Sequence, residues 1–378
     1  MAKLILHIGT HKTGTTALQS FFGENRQLLA QRGIAYPILK TKYHEVTHER
    51  NAHWLMNQAK HELGILELTD TDHRAIDEGR KLLAEAAASA DVVVLSDEQL
   101  WAEGAAHKMF WRRLVPLLDE FSFDRIQAVV YFRRQDEFVS SMWKQWVKAA
   151  PKETRSIEDF GNKAGIKSSM NYDRGVVRLE RVFDHDDIII RLYGKKNYAG
   201  ANIYEDFFAA CGLDFPEGAT LSRGVFNPST SNDATVVKSI INQVYANHPA
   251  LEQDNLFYQP AINASSAEEH PDKRPLLSLD KSQEILARYR DGNARIAREY
   301  FGREDGVLFD EPTAAVDAYE SGFSQSETDA IRILADALLS VHEQNLNLKQ
   351  QVAACNGRIV RLERSLPNRI WHKIRHQK

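Results

Sequence analysis

The sequence has little cysteine: its 378 residues include only two, Cys211 and Cys355. Two cysteines are too few for a disulfide framework or a cysteine-built metal cluster, so a reducing cytoplasm is the expected compartment. Long apolar runs are also missing, since stretches such as 92–95 and 188–193 are far shorter than the roughly 20 residues of a membrane-spanning helix. The first residues, MAKLILHIGTHK, lack the apolar segment of a secretory signal and are expected to form a first strand.

An excess of charge of one sign is missing as well. The chain has 48 basic and 52 acidic residues and a formal net charge of −4, which argues against a dedicated nucleic-acid binder. Because 43% of the residues are apolar, the chain can bury a sizeable core in one large or two ordinary domains. Any anionic ligand must therefore be bound by a local group of residues.

Short apolar runs predict the strands of one sheet. Each run is separated from the next by a helical pattern, of which 72–88 is an example. Strands that are apolar throughout and alternate with helices predict an α/β fold with a mostly parallel sheet flanked by helices. The predicted strands are Lys3–Ile8, Asp91–Leu95, Ile126–Phe132 and Ile188–Tyr193.

The sequence also divides into regions of different amino-acid composition and periodicity. Residues 1–313 carry the α/β pattern, and the stretch 216–275 within them is rich in Asn, Ser, Pro and His, which is typical of cap or lid material. Residues 325–366 form a separate helical region, and residues 367–378 are a basic tail. Basic residues around Trp371 favour peripheral contact of this tail with an anionic membrane surface, while a solvated terminus is the alternative.

The region 325–366 has the most regular pattern of the chain. Its apolar residues are spaced alternately by three and four, which is the heptad pattern of a coiled coil. Asn345 occupies one a position, and Arg358 at g faces Glu363 at the following e′. The pattern predicts a homodimer, with a helix packed on its own domain as the alternative. The a and d positions are Ile331, Leu334, Leu338, Val341, Asn345, Leu348, Val352, Cys355, Ile359, Leu362 and Leu366.

The stretch after the first predicted strand has the layout of a phosphate-binding loop. Gly9 and Gly14 stand five residues apart between a strand and a helix, where backbone N–H groups and the helix dipole attract an anion. A nucleoside-triphosphate loop has lysine directly after the second glycine, but here Thr15 takes that place and Lys12 lies earlier. The loop therefore predicts phosphate binding without the magnesium geometry of a kinase. An ordinary glycine turn is the alternative.

Two motifs resemble those of sulfotransferases that use 3′-phosphoadenosine 5′-phosphosulfate (PAPS). The residues Lys12-Thr13-Gly14-Thr15-Thr16 are similar to the family's 5′-phosphosulfate loop. Arg133 follows a predicted strand and Ser141 lies eight residues later, the spacing with which the family holds the donor's 3′-phosphate. A guanidinium also suits phosphate on physical grounds. Two alternatives stay open. Arg134 could be the ligand in place of Arg133, or both arginines could be surface residues that bind no ligand.

The resemblance extends over about residues 1–313, to a bacterial group with carbohydrate or other cell-surface acceptors. It implies metal-independent transfer of a sulfuryl group from PAPS to a hydroxyl or amine, with PAP (adenosine 3′,5′-bisphosphate) as the product. Lys12 would neutralise the charge that grows on the departing phosphate. Two alternatives stay open: a kinase-like phosphotransferase that uses ATP, and a non-catalytic, nucleotide-regulated scaffold.

The general base is predicted from position. Glu98 follows the predicted strand Asp91–Leu95, so its carboxylate is expected at the carboxyl edge of the sheet, where open α/β sheets build their sites. His53 is the second candidate because free imidazole titrates near neutral pH. The remaining candidates are His44, His48 and His107.

Overall fold

The computed structural model describes residues 2–44, 46–47, 49–149, 153–221, 231–251, 274–312 and 323–365. The strands are β1 Lys3–His7, β2 Ile34–Ala35, β3 Val92–Ser96, β4 Arg125–Phe132 and β5 Ile188–Leu192. The helices are α1 Thr15–Glu24, α2 Arg26–Ala30, α3 His53–Glu62, α4 Asp70–Ser89, α5 Gln99–Ala106, α6 Phe110–Leu114, α7 Gln135–Ala149, α8 Ile157–Gly161, α9 Ala164–Met170, α10 Tyr172–Leu179, α11 Ile203–Ala210, α12 Asn232–Tyr245, α13 Leu279–Ala287, α14 Arg290–Phe301 and α15 Gln325–Ser365.

The five strands form one parallel sheet in the order β2-β3-β1-β4-β5. The predicted α/β class is confirmed, and each of the four predicted strands is present. The sequence pattern missed β2, because two residues are too short to give a periodic signal.

Apolar clusters cover both faces of the sheet, which is why its strands are apolar throughout. Leu4 and Leu6 of β1 belong to a cluster on one face, where the buried rings of Trp54 and Trp101 also lie. Ile5 belongs to the cluster on the other face, which is rich in aromatic rings from α1 and α11. Because alternate residues of β1 are buried on opposite faces, the orientation of the strand in the sheet is fixed. The end of β1 therefore sets the position of the loop that follows it.

The loop after β1 lies at the topological switch point of the sheet. From β1 the chain reaches β2 and β3 on one side, then crosses to β4 and β5 on the other. His7 at the end of β1 is paired with Ser96 on one side and with Val129 on the other. Open α/β sheets bind ligands at this point, beyond the carboxyl ends of the strands.

The described residues fall into two compact units. The first comprises those of 1–143, 156–228 and 274–319 and contains the whole sheet. The second comprises those of 144–155, 229–273 and 320–378 and contains α12 and α15, packed together through a small apolar cluster. In the described part of the chain, no helix is both long and apolar enough to cross a membrane.

Two predicted regions are only partly covered. Of the stretch 216–275, the structure describes 216–221, 231–251 and 274–275, which include α12. The basic tail 367–378, on which the predicted membrane contact depends, lies outside the described residues. The helix predicted over 325–366 is one continuous helix as far as Ser365.

Candidate functional site

The loop between β1 and α1 exposes the start of a helix. Gly14 is the N-cap of α1 in the left-handed conformation (φ 79°), and no side chain of the described residues caps this helix. A Cβ at Gly14 would lie 2.6 Å from Cδ1 of Ile203, so alanine there would require the end of the Ile203 side chain to shift, and the positive φ favours glycine. Uncapped N–H groups at a helix start bind anions, and the first turn holds no acidic residue to compete.

Two threonines fix the loop, Thr10 by a bond to the sheet and Thr13 by a bond within the loop. The Thr10 hydroxyl donates to the Tyr131 carbonyl at 2.8 Å, and the Thr13 hydroxyl donates to the Thr10 carbonyl at 2.7 Å. Both threonines are buried, and Lys12 between them has a positive φ of 65°. Thr13 therefore supports the loop with its side chain, whereas Thr15 and Thr16 form the first turn of α1.

Arg133 lies beside this loop. It follows β4, and its Nη1 donates to the Lys12 carbonyl at 3.3 Å. The ring of Tyr193 lies below the guanidinium, 5.4 Å away, and Nε of Arg133 is 3.2 Å from the Glu137 carboxylate. The Tyr172 hydroxyl donates to the Arg133 carbonyl at 2.6 Å, which fixes the backbone at the strand end. The structure thus brings together the lysine and the arginine of the two sequence motifs.

The neighbouring Arg134 has a different environment. It makes two hydrogen bonds to the Asp136 carboxylate, at 2.7 and 3.0 Å, and a third to the Asp310 carbonyl. These acceptors engage Nε, Nη1 and Nη2 of Arg134, whereas the hydrogen bonds of Arg133 use only Nε and Nη1.

The two serines that follow also differ. Ser140 donates to the Asp136 carbonyl at 2.9 Å. The Ser141 hydroxyl has no hydrogen-bond partner among the described residues, and Ser141 is half-buried on the second turn of α7. Its hydroxyl is therefore the one available to a ligand.

Glu98 lies at the carboxyl edge of the sheet, as predicted from sequence. It follows β3, and its carboxylate accepts a hydrogen bond from Gln19 of α1 at 3.1 Å. Arg50 approaches the other carboxylate oxygen at 3.5 Å. A Cβ placed on Gly9 would lie 3.2 Å from Cα of Glu98, so the loop between β1 and α1 packs directly against this residue. Glu98 therefore borders the loop that carries Lys12.

His53, the second candidate for the general base, contacts the buried Asp97. Its Nδ1 lies 3.1 Å from the Asp97 carboxylate, which also receives Arg50 at 2.6 Å and the Gln99 N–H at 2.7 Å. Burial raises the pKa of Asp97, but Arg50 and His53 outweigh it and lower this pKa to about 2. His53 thus belongs to a buried charge network adjoining Glu98, with one ring nitrogen engaged.

The weaker candidates lie elsewhere. His107 ends α5, at the opposite end from Glu98, with Nε2 3.5 Å from the Glu103 carboxylate. His44 is exposed, and His48 lies outside the described residues. Within the described ranges, no group of three or more His, Cys, Asp or Glu side chains is placed to hold a metal ion.

Sequence reasoning missed three residues of this site: His11, Tyr193 and Arg50. Burial lowers the pKa of the loop residue His11, although the Glu98 carboxylate acts to raise it, so its imidazole is neutral near pH 7. The position of His11 between Gly9 and Gly14 could have identified it as a site residue from sequence alone. Tyr193 and Arg50 gave no signal, since only the tertiary fold brings them to the loop.

No family model matches the sequence. An uncharacterized protein of Archaeoglobus fulgidus is 29% identical over 185 residues, which are 49% of this chain and 48% of that protein. The match therefore spans about half the length of this relative.

Two solved structures are similar to this chain. A sulfotransferase from Alicyclobacillus acidocaldarius is 14% identical, with 79% of this chain and 95% of that one covered, at a TM-score of 0.37. The sulfotransferase domain from the curacin biosynthetic pathway is 12% identical, with 76% and 96% covered, at a TM-score of 0.30. At TM-scores below 0.5 neither likeness carries weight for the activity, which depends on the site itself.

Proposed function

We propose that the protein is a sulfotransferase that moves a sulfuryl group from PAPS to a hydroxyl or amine of a carbohydrate or other cell-surface acceptor. The observation that carries the proposal is the hydrogen bond from Arg133 to the Lys12 carbonyl. It brings the phosphate loop and the second anion-binding residue to one rim of the sheet. A 3′,5′-bisphosphate has two anionic groups and needs two such sites.

The residues present fit the donor. The uncapped N–H groups at the start of α1, together with Lys12, suit its 5′-phosphosulfate. Arg133 and the Ser141 hydroxyl suit its 3′-phosphate, and the Tyr193 ring beside Gly14 and Arg133 offers a flat apolar surface. Bound PAPS supplies the activated sulfuryl group and a stable phosphate leaving group.

The chain's own residues then have separate tasks. Lys12 and the N–H groups of 14–16 stabilise the negative charge that develops on the leaving phosphate oxygen. Glu98, held by Gln19 and Arg50, accepts the proton of the acceptor. Arg133 fixes the donor in line with the acceptor, which lowers the entropic part of the barrier. The acceptor class itself comes from the resemblance of residues 1–313.

The proposed compartment is the reducing cytoplasm, with the basic tail 367–378 in contact with the inner membrane surface. The two free cysteines support the first part, because an oxidising compartment favours paired thiols. The clustered Arg and Lys of the tail support the second, because anionic headgroups attract such segments.

Ligand binding tests the donor. PAP at 100 times its Kd should stabilise the protein by about 2.7 kcal/mol without added metal, which thermal denaturation detects as a raised Tm. ADP, which lacks the 3′-phosphate, should raise the Tm much less, and Arg133→Ala should abolish this difference. Stabilisation by ATP with magnesium but not by PAP would contradict the proposal and favour the kinase-like alternative. No response to any nucleotide would contradict both.

A further inference from the structure

The C-terminal helix α15 uses one of its faces to pack within its own unit. Ala335 and Leu339 are buried against Val244 and Tyr245 of α12 and against Leu251. In the heptad repeat that places Ile331 and Leu338 at a, Ala335 occupies an e position and Leu339 a b position. The face that packs is therefore not the a/d face.

A histidine reinforces this packing. His248 lies 3.0 Å from the Asp336 carboxylate and 3.2 Å from the Glu343 carboxylate. Both carboxylates occupy f positions, one heptad apart, on the side of the helix opposite the a/d stripe. The intramolecular contacts of α15 thus leave the a/d stripe facing away from α12.

The a/d stripe is exposed along the helix. Seven of its large apolar side chains are each between 51% and 63% exposed. Soluble chains rarely leave so long an apolar stripe in water. The seven residues are Leu334, Leu338, Val341, Leu348, Val352, Ile359 and Leu362.

We propose that this stripe binds the same stripe of a second copy of the chain, in a parallel two-stranded coiled coil. β-Branched residues occupy a positions (Ile331, Val352 and Ile359), whereas leucine dominates d, which is the combination that favours parallel dimers. Asn345 at a meets its equivalent only in a parallel, in-register pair, which leaves neither amide buried alone. The surface is independent of the proposed activity.

Charge along the flanks agrees with a second copy. In a parallel dimer each g residue faces the e residue of the next heptad on the partner helix. None of the four complete g–e′ pairs joins like charges, and the last joins opposite charges. The pairs are Ala337–His342, Gln344–Lys349, Gln351–Asn356 and Arg358–Glu363.

Cys355 reports the orientation of the two helices. It is a free, exposed cysteine at a d position, so in a parallel dimer it lies beside Cys355 of the second copy. An antiparallel pair that keeps the whole 331–362 stripe in contact would place the two thiols about 25 Å apart along the axis. Cys211, the other cysteine, is buried.

The test oxidises the full-length protein with diamide. Two thiols lose two electrons and two protons to the reagent, which becomes the hydrazine, and one disulfide forms. We expect a covalent dimer on a non-reducing gel for the natural chain and for Cys211→Ser, and none for Cys355→Ser. Light scattering at micromolar concentration should show a dimer before oxidation.

Matched substitutions test the stripe itself. Leu348→Asp at d should convert the dimer to a monomer with an unchanged circular dichroism spectrum of the folded unit, because Leu348 is exposed in the single chain. Gln350→Asp at the exposed f position of the same turn should leave the dimer intact. A natural chain that is monomeric, whether alone or because another protein occupies the stripe, would overturn the proposal. A dimer that Cys355 does not cross-link would overturn the parallel arrangement.

Discussion

Arg133 donates a hydrogen bond to the carbonyl oxygen of Lys12, a residue 121 positions earlier in the chain. The bond joins the end of β4 to the loop that follows β1, two neighbouring strands of the sheet. Nε of Arg133 faces the Glu137 carboxylate, and the remaining Nη2 lies at the rim where the loop presents its own N–H groups. This contact is the basis of the first prediction, in which two adjacent arginines should behave differently.

Arg133→Ala should weaken PAP binding, whereas Arg134→Ala should leave it nearly unchanged. A charge-assisted contact is worth about 1.5–3 kcal/mol, so Arg133→Ala should raise the Kd for PAP by roughly 10- to 150-fold. Arg134 is engaged by Asp136 and serves as the matched control. Isothermal titration calorimetry measures both variants. Equal losses in the two variants would contradict the assignment of Arg133.

As a second part of the first prediction, Lys12→Ala should act mainly on turnover, because its charge is needed most when the leaving phosphate becomes negative. PAP binding should fall less than in Arg133→Ala. The assay follows PAP released from PAPS in the presence of a carbohydrate acceptor. Unchanged turnover in Lys12→Ala would contradict its proposed task.

The second prediction compares two glycines of similar conformation. Gly14→Ala and Gly64→Ala both put alanine at a φ of 70° to 79°, which costs about 1–2 kcal/mol. Around Gly64 nothing lies within 4 Å of an added Cβ, whereas at Gly14 the Cβ would overlap with Ile203. Urea unfolding should show the larger loss for Gly14→Ala, and only that variant should lose PAP affinity. Equal stability losses with intact PAP binding would contradict the described loop.

How much of this site the sequence could predict depends on the kind of signal. Lys12, Gly14 and Arg133 lie in local motifs next to strand ends, so their positions followed from chain order and the parallel sheet. Glu98 was placed at the correct edge for the same reason. The partner of His53 could not be predicted, since Asp97 and Arg50 reach it through tertiary packing.

The heptad shows a further limit of sequence patterns. The spacing predicted one continuous helix, which the structure confirms, together with an apolar stripe. Which face packs on α12 depends on Ala335 and Leu339, and these residues lie outside the stripe. A periodic pattern identifies an apolar face but does not identify its partner.

The third prediction concerns the buried carboxylate Asp97, which is fully buried beside Arg50. Its pKa is lowered to about 2 in the folded chain, so it stabilises the fold above the unfolded pKa of about 3.9. That stabilisation, about 2 kcal/mol, should be lost as the pH falls from about 4 to 2. Asp97→Asn should therefore destabilise the protein at pH 7, and the gap to the natural chain should narrow below pH 4.

Urea unfolding at pH 7, 5 and 3 measures this gap. The control is Glu120→Gln, which removes an exposed ion pair with Arg80 and should have little effect at any of these pH values. A gap for Asp97→Asn that is as large at pH 3 as at pH 7 would show that the charge of Asp97 is not what stabilises the fold.

The fourth prediction separates the candidates for the general base. Glu98 borders the phosphate loop and is held by Gln19, whereas Nδ1 of His53 is engaged by Asp97. A general base contributes roughly 10²- to 10⁴-fold, so Glu98→Gln should lower turnover on that scale and leave the Kd for PAP nearly unchanged. His53→Asn should act mainly on stability. The free energy of unfolding should fall, because the substitution removes one partner from Asp97, and turnover should change little.

His11 provides the decisive comparison within this prediction. Burial lowers the pKa of His11, although the Glu98 carboxylate acts to raise it, so a neutral imidazole lies in the loop that packs against Glu98. If Glu98 is the base, His11→Asn should keep a measurable rate, because the imidazole then does not take the proton of the acceptor. Turnover that falls at least 100-fold in His11→Asn but stays near normal in Glu98→Gln would transfer the role to the histidine. The pH profiles of PAP release for both variants, measured with one acceptor and saturating PAPS, distinguish the two outcomes.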